Sequence, residues 1–223
     1  MIKKALILDS SSIITLALNN LLGVLELLKK SFGGKFLITP KIKEEIIDNP
    51  LKQKRFELEA LLISTLLKKG VIEVSAPAGL EKEIKNIMGM ANNAFIADGE
   101  TINILHEGES SCFALANLLK EEYQICIAID ERTARLLCEN PENLKKIFDS
   151  KLHTKVSIDR SKTAYFSGLS IIRSAELLFV AYKKGLIDLP ASNQQAIDAL
   201  LYAAKFKGCS ISFEEIERAK KII

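Results

Sequence analysis

The chain has no tryptophan, only two histidines (His106 and His153) and four scattered cysteines (Cys112, Cys126, Cys138 and Cys209) among 223 residues. Zinc sites and disulfide frameworks need partners at short, recurring spacings, and no CxxC pair is present. The cysteines therefore read as small apolar residues in a reducing compartment. No apolar run approaches the roughly 18 uncharged residues of a membrane span. The chain also passes from "MIKK" straight into a strand-like run, without the small-residue cleavage site of a secretory leader. The expectation is a cytoplasmic protein with no membrane partner. A GxxxxGK[ST] loop for nucleotide phosphates is missing. Aromatic residues make up 6%, and no base-stacking platform is evident among them. The net charge of +3 is mild; lysines grouped at Lys29-Lys30, Lys52 to Arg55, Lys68-Lys69 and Lys145-Lys146 read first as solvated helix faces.

What is present is an ordinary globular balance, 48% hydrophobic and 26% charged. Residues 4–9 form a buried-strand pattern, and Ile13, Leu16, Leu18, Leu22, Leu25 and Leu28 follow at helical spacing. "KFLIT" is a second strand, and Pro40 opens a helix that turns Ile42 and Ile46 inward until Asn49-Pro50. A long helix runs to Lys69 and Gly70, before a third strand in "VIEVS". Residues 79–105 read as helix or loop. "EGESSCFALANLLKEE" is a helix, and "QICIAID" is an unbroken apolar strand of the kind covered on both faces. "ERTARLLCE" is helical up to Asn140-Pro141, and a weaker strand lies in "TKVSI" or "TAYFS". Helices are predicted over 170–184 and 191–207 and from Ser212, where "SFEE" spells a capping box. Strands alternating with helices predict an α/β fold on a parallel sheet. With no linker or repeat, the reading is one domain with a helical C-terminal extension.

Four acids stand at element ends. In a parallel α/β sheet, ligands gather where strands reach their C-terminal ends. Asp9 and Asp130 both lie there, each after an apolar strand and before a helix; each is equally readable as a helix N-cap. Glu109 opens a helix after Gly108, where the helix dipole favours a carboxylate. Glu45 borders the buried face of the short second helix, although a helical glutamate is ordinarily just solvated. Four carboxylates in one place repel unless some protonate or a cation neutralises them. Oxygen-only donors suit Mg²⁺ or Mn²⁺, ions that activate water and steady the displacement at phosphorus.

Taken in order, these stretches resemble the PIN-domain family of metal-dependent ribonucleases, and within it the VapC-like prokaryotic branch. "LILDSSSIITL" resembles the family's opening strand, with Asp9 and Ser11 in the motif positions. "TPKIKEEI" resembles the second motif and puts its acid at Glu45. "EGESSCFALA" resembles the Gly-Glu helix start, with Gly108, Glu109 and Ala114. "IAIDERTAR" resembles the strand-end motif, with Asp130, Arg132 and Arg135. "GLSIIRSAELLFVAYKKGLI" is similar to a glycine-containing turn and lysine-glycine helix end of one subfamily. The competing pair Gly99-Glu100 lacks the helix and strand that the motif requires.

The resemblance implies a three-layer sandwich around a central parallel sheet of four to five strands. A PIN-like nuclease domain would span 1–170, with a helical extension over 171–223 packed on it. It implies cleavage of single-stranded RNA by Asp9, Glu45, Glu109 and Asp130 holding Mg²⁺ or Mn²⁺. Ser11 and Glu131 would support them, and Arg132 and Arg135 would contact phosphates. It also implies a homodimer and an antitoxin-like inhibitor protein as partners. The sequence departs from the family in its longer segments 77–105 and 139–166, and in Glu131, where many members carry aspartate. Two rivals stand beside this reading. One is a non-catalytic RNA-binding or assembly module on the same fold. The other is a phosphatase with Asp9 as nucleophile, which lacks the second acid two positions on, since Ser11 stands there.

Overall fold

The structure is a computed structural model that describes residues 3–222. The first strand, β1 (Lys3–Leu8), buries Ala5, Leu6, Ile7 and Leu8, each large side chain contributing about 1.5–3 kcal/mol by leaving water. Asp9 then caps α1 (Ser10–Leu18) by accepting from the Ser11 N–H. A single helix was expected from Ile13 to Leu28. The chain instead turns at Asn20, whose φ is +57°, a conformation asparagine tolerates, and restarts as α2 (Gly23–Phe32). The apolar spacing runs across the break because Leu21 and Leu22 also pack inward, so periodicity does not reveal it.

The next strand, β2 (Lys35–Ile38), leads into α3 (Pro40–Lys43), capped by Thr39, which passes directly into a π-turn over Glu44–Asp48. There the Asn49 N–H reaches the Glu44 carbonyl at 2.9 Å. Widened turns of this kind are frequent at functional sites, and this one carries Glu45. After α4 (Glu57–Lys68) comes β3, only Glu73–Val74 long. Helix α6 (Glu107–Leu119) returns the chain to β6 (Tyr123–Ala128) on the other side of β1. Helix α7 (Arg132–Glu139) follows, and β8 (Ser170–Ile172) adds the last strand.

The sheet order is β3-β2-β1-β6-β8, parallel throughout, with helices on both faces, the three-layer α/β sandwich. The helix expected from residue 170 is corrected at its start. Residues 170–172 pair with Cys126–Ala128, and the helix, α10 (Ser174–Lys183), begins only afterwards. Helices α11 (Asn193–Phe206) and α12 (Phe213–Lys220) complete the chain. Arg173, 6% exposed, pairs with Glu176 and, at 3.0 Å, with Glu215, tying α10 to α12.

The two long segments prove to be one structure. The first supplies α5 (Leu80–Asn92), β4 (Phe95–Ala97) and β5 (Glu100–Thr101). The second supplies α8 (Pro141–Leu152), β7 (Val156–Ile158) and α9 (Arg160–Thr163). They meet in a separate antiparallel sheet of order β5-β4-β7. Strand β7 is the one read in "TKVSI", whereas "TAYFS" holds a short 3-10 turn. Phe95 packs edge-on against Phe148 at 5.6 Å, and Phe113 against Phe166 at 5.7 Å. The second pair joins the 3-10 turn after α9 to α6. Among the described residues no helix is long and apolar enough to cross a membrane.

Candidate functional site

The chain runs from β1 outward through β2 to β3, then returns to lay β6 on the opposite side of β1. The order therefore reverses between β1 and β6, and the crevice beyond their C-terminal ends is where a doubly wound sheet binds ligands. Leu8 pairs with Ala128, and the Asp9 N–H donates to the Ala128 carbonyl at 2.9 Å. The strands bearing Asp9 and Asp130 are thus immediate neighbours. Ser11 joins their ends: its hydroxyl donates to Asp9 Oδ2 and accepts from the Asp130 N–H at 3.0 Å. Ser12, absent from the sequence reading, closes the same gap by donating to the carbonyls of Asp9 and Ala128.

Asp9 is 2% exposed. Burial pushes its carboxyl up to about 7, the Ser11 hydrogen bonds oppose that, and the nearby charges of Glu109 and Glu45 add to it. Glu45 is raised too, first by burial, against a hydrogen bond from Ser10, and then by Glu109, Glu107 and Glu44. Glu45 as a residue is exposed, but its carboxylate tip is shielded against Gly108. A Cβ on Gly108 would lie 2.5 Å from Glu45 Oε1. The missing side chain at Gly108 thus leaves the space that the Glu45 carboxylate occupies. Glu109, third in α6, folds back to accept from the His106 N–H at 2.9 Å, half of a capping box.

Glu109 thus raises both Asp9 and Glu45, Glu45 raises Asp9, and among the described residues none of the three acids has a lysine or arginine partner. Lys41, the cation beside them, is taken by Glu107 at 3.1 Å and Glu44 at 3.8 Å. Cys112 Sγ lies 4.0 Å from Asp9 Oδ1. Burial and the surrounding acids hold its thiol well above the usual range, so in the metal-free protein it is a neutral neighbour of Asp9.

Asp130 has a different setting. It is fully buried, and its carboxylate is turned onto the start of α10, accepting from the Ser174 N–H at 2.7 Å and the Ser174 hydroxyl at 2.6 Å. A helix N-terminus is a natural anion site, and here the protein's own aspartate fills it. Sequence reasoning missed Ser174; its only signal is a serine directly after a three-residue strand. Glu131 caps α7 through the Ala134 N–H at 2.7 Å. Arg135 pairs with Glu139 at 2.9 Å, and Arg132 is exposed.

The donors are all carboxylate oxygens, the chemistry that Mg²⁺ or Mn²⁺ takes. As the side chains stand, no three of the acids, histidines and cysteines among the described residues are placed to enclose an ion together. Glu109 is folded onto its helix cap and Asp130 onto Ser174. Both retain lone pairs, since an ionised carboxylate offers about four acceptor sites. No protein family, curated protein or solved structure matches the chain, and the reading of this crevice rests on its own residues.

Proposed function

We propose that the protein is a cytoplasmic, divalent-metal-dependent ribonuclease that hydrolyses phosphodiester bonds in single-stranded RNA. The observation that carries this reading is the gathering of Asp9, Glu45 and Glu109 at the sheet's reversal point, where Glu45 and Glu109 push the Asp9 carboxyl up and, among the described residues, no cationic side chain pairs with any of the three. A structural ion-pair network would supply that cation; a site for an external one would leave it out. Asp9, Glu45 and Glu109 would hold Mg²⁺ or Mn²⁺, with Asp130 beside them at the neighbouring strand end. A bound divalent ion supplies the missing positive charge and water activation for in-line attack at phosphorus. The chain's own parts are then definite. Ser11 fixes Asp9 by its Oδ2. Gly108 leaves room for the Glu45 carboxylate.

The test is cleavage of pooled single-stranded RNA with Mn²⁺, Mg²⁺ or EDTA, by the native chain and by folded Asp9→Asn and Asp130→Asn variants. Metal-dependent cutting that both substitutions reduce at least a hundredfold is the expected result. RNA binding that is indifferent to metal and to both substitutions, without cutting, would favour the non-catalytic module instead. The homodimer and the antitoxin-like inhibitor are part of the same proposal. Leu58 and Leu61 on α4, 65% and 52% exposed, offer a second copy apolar area to cover. Sedimentation showing monomer at every concentration would remove the dimer.

A further inference from the structure

A groove of about 700 Å³ lies between α7 and the α11–α12 corner, in the size range of ligand clefts. Its wall begins at the strand end just described, because the Ser210 N–H donates to the Asp130 carbonyl at 3.1 Å. Arg132, Arg135, Lys205 and Arg218 line it against two acids, Glu214 and Glu215. Glu215 is already committed to Arg173, which holds its carboxyl down at about 2 despite burial. The balance of charge facing the groove is positive.

The rim carries rings. Phe206 is 71% and Phe213 55% exposed, and both pack on Tyr202 at 5.9 Å, Phe206 nearly parallel to it at 27°. Lys205 Nζ sits 4.2 Å from the Phe213 ring centre. Aromatic faces beside a cationic trough are the elements that hold single-stranded nucleic acid through base stacking and phosphate contact.

We infer that this groove binds a single-stranded nucleic acid, with bases stacked on Phe206 and Phe213 and phosphates held at its cationic rim by the exposed Arg132 and Arg218. The inference rests on the proposed function, since it names the surface that would deliver the substrate to the reversal-point crevice.

The measurement is fluorescence anisotropy of a labelled short oligouridylate with the full chain in EDTA, so that binding is read without cleavage. Phe206→Ala and Phe213→Ala, both at exposed positions, should each weaken binding about tenfold. Arg132→Ala should lower the slope of log K against log salt by about one. An oligothymidylate that binds equally well would support the groove while showing that it ignores the sugar. Inorganic polyphosphate competing as strongly as RNA, or an unchanged Kd in the double phenylalanine variant, would overturn the inference. If the native chain cuts RNA with metal but the ring variants bind normally, the groove falls and the nuclease stands. If ring-dependent binding persists and no metal permits cutting, the groove stands and the nuclease falls.

Discussion

Asp9→Asn is expected to stabilise the metal-free protein at neutral pH by about 3–4 kcal/mol while abolishing cleavage. The Asp9 carboxyl lies near 7 in the folded chain against 3.8 as an ordinary aspartate, first because it is buried and then because Glu109 and Glu45 face it. Between those two pH values the folded state binds more protons than the unfolded state, so stability falls as pH rises through the interval. The full effect is on the order of 4 kcal/mol, from about 1.4 kcal/mol per pKa unit. Asparagine keeps an oxygen to accept from Ser11 and never ionises. Melts of the native chain in EDTA from pH 4 to 8 should therefore decline steeply, and those of Asp9→Asn should be much flatter. Glu45, raised in the same direction, leaves a residual slope.

The same electrostatics link stability to the cation. Added Mn²⁺ or Mg²⁺ should raise the native melting temperature most at pH 7–8, where Asp9 is charged, and should do little for Asp9→Asn. A variant less stable than the native chain at pH 8, or one that keeps the full pH slope, would show that Asp9 is a cap whose hydrogen bonds outweigh its charge. The loss of cleavage and the gain in stability must occur together. An acid that serves only as a helix cap costs stability when removed, whereas one retained for chemistry costs stability while it stays.

Much of this crevice was legible in the sequence because its signals are local. An apolar run ending on aspartate marks a strand end, and two such runs in an alternating pattern predict carboxylates at the same edge of a parallel sheet. What could not be read is where side chains turn once distant elements arrive. Asp130 and Ser174 are 44 positions apart, and nothing near Asp130 says that the first turn of α10 will claim both its oxygens. Strand β8 has three residues and runs straight into helical spacing, so its pairing with β6 outweighs a local preference for helix. The small sheet pairs Phe95 with Ile158, across segments that separately look like helix, loop and an isolated strand. Composition is silent on where rings gather: 6% aromatics carries no information about placement, and α11 and α12 bring Tyr202, Phe206 and Phe213 to one corner.

Gly108→Ala should leave the fold intact and reduce cleavage at least tenfold. Gly108 sits in the first turn of α6 without a positive φ, so the backbone accepts alanine, and alanine is the better helix former by up to about 1 kcal/mol. The obstacle is the Glu45 carboxylate, whose Oε1, Oε2 and Cδ would lie 2.5, 2.8 and 3.0 Å from the new methyl group. Those atoms are the far end of a flexible side chain, so the clash is relieved by swinging the carboxylate away rather than by moving α3 or α6. Melting should accordingly stay within about 1 kcal/mol of native, and the loss should appear in kcat/KM. In a Glu45→Ala background the alanine at 108 has nothing to displace. The double variant should then be no less active than Glu45→Ala alone, a non-additivity that only a direct contact produces. If Gly108→Ala cuts RNA as fast as the native chain, the placement of Glu45 is dispensable and the working acids reduce to those on the strand ends and α6. If the losses simply add in the double variant, the methyl group acts on α6 and Glu109 rather than through Glu45.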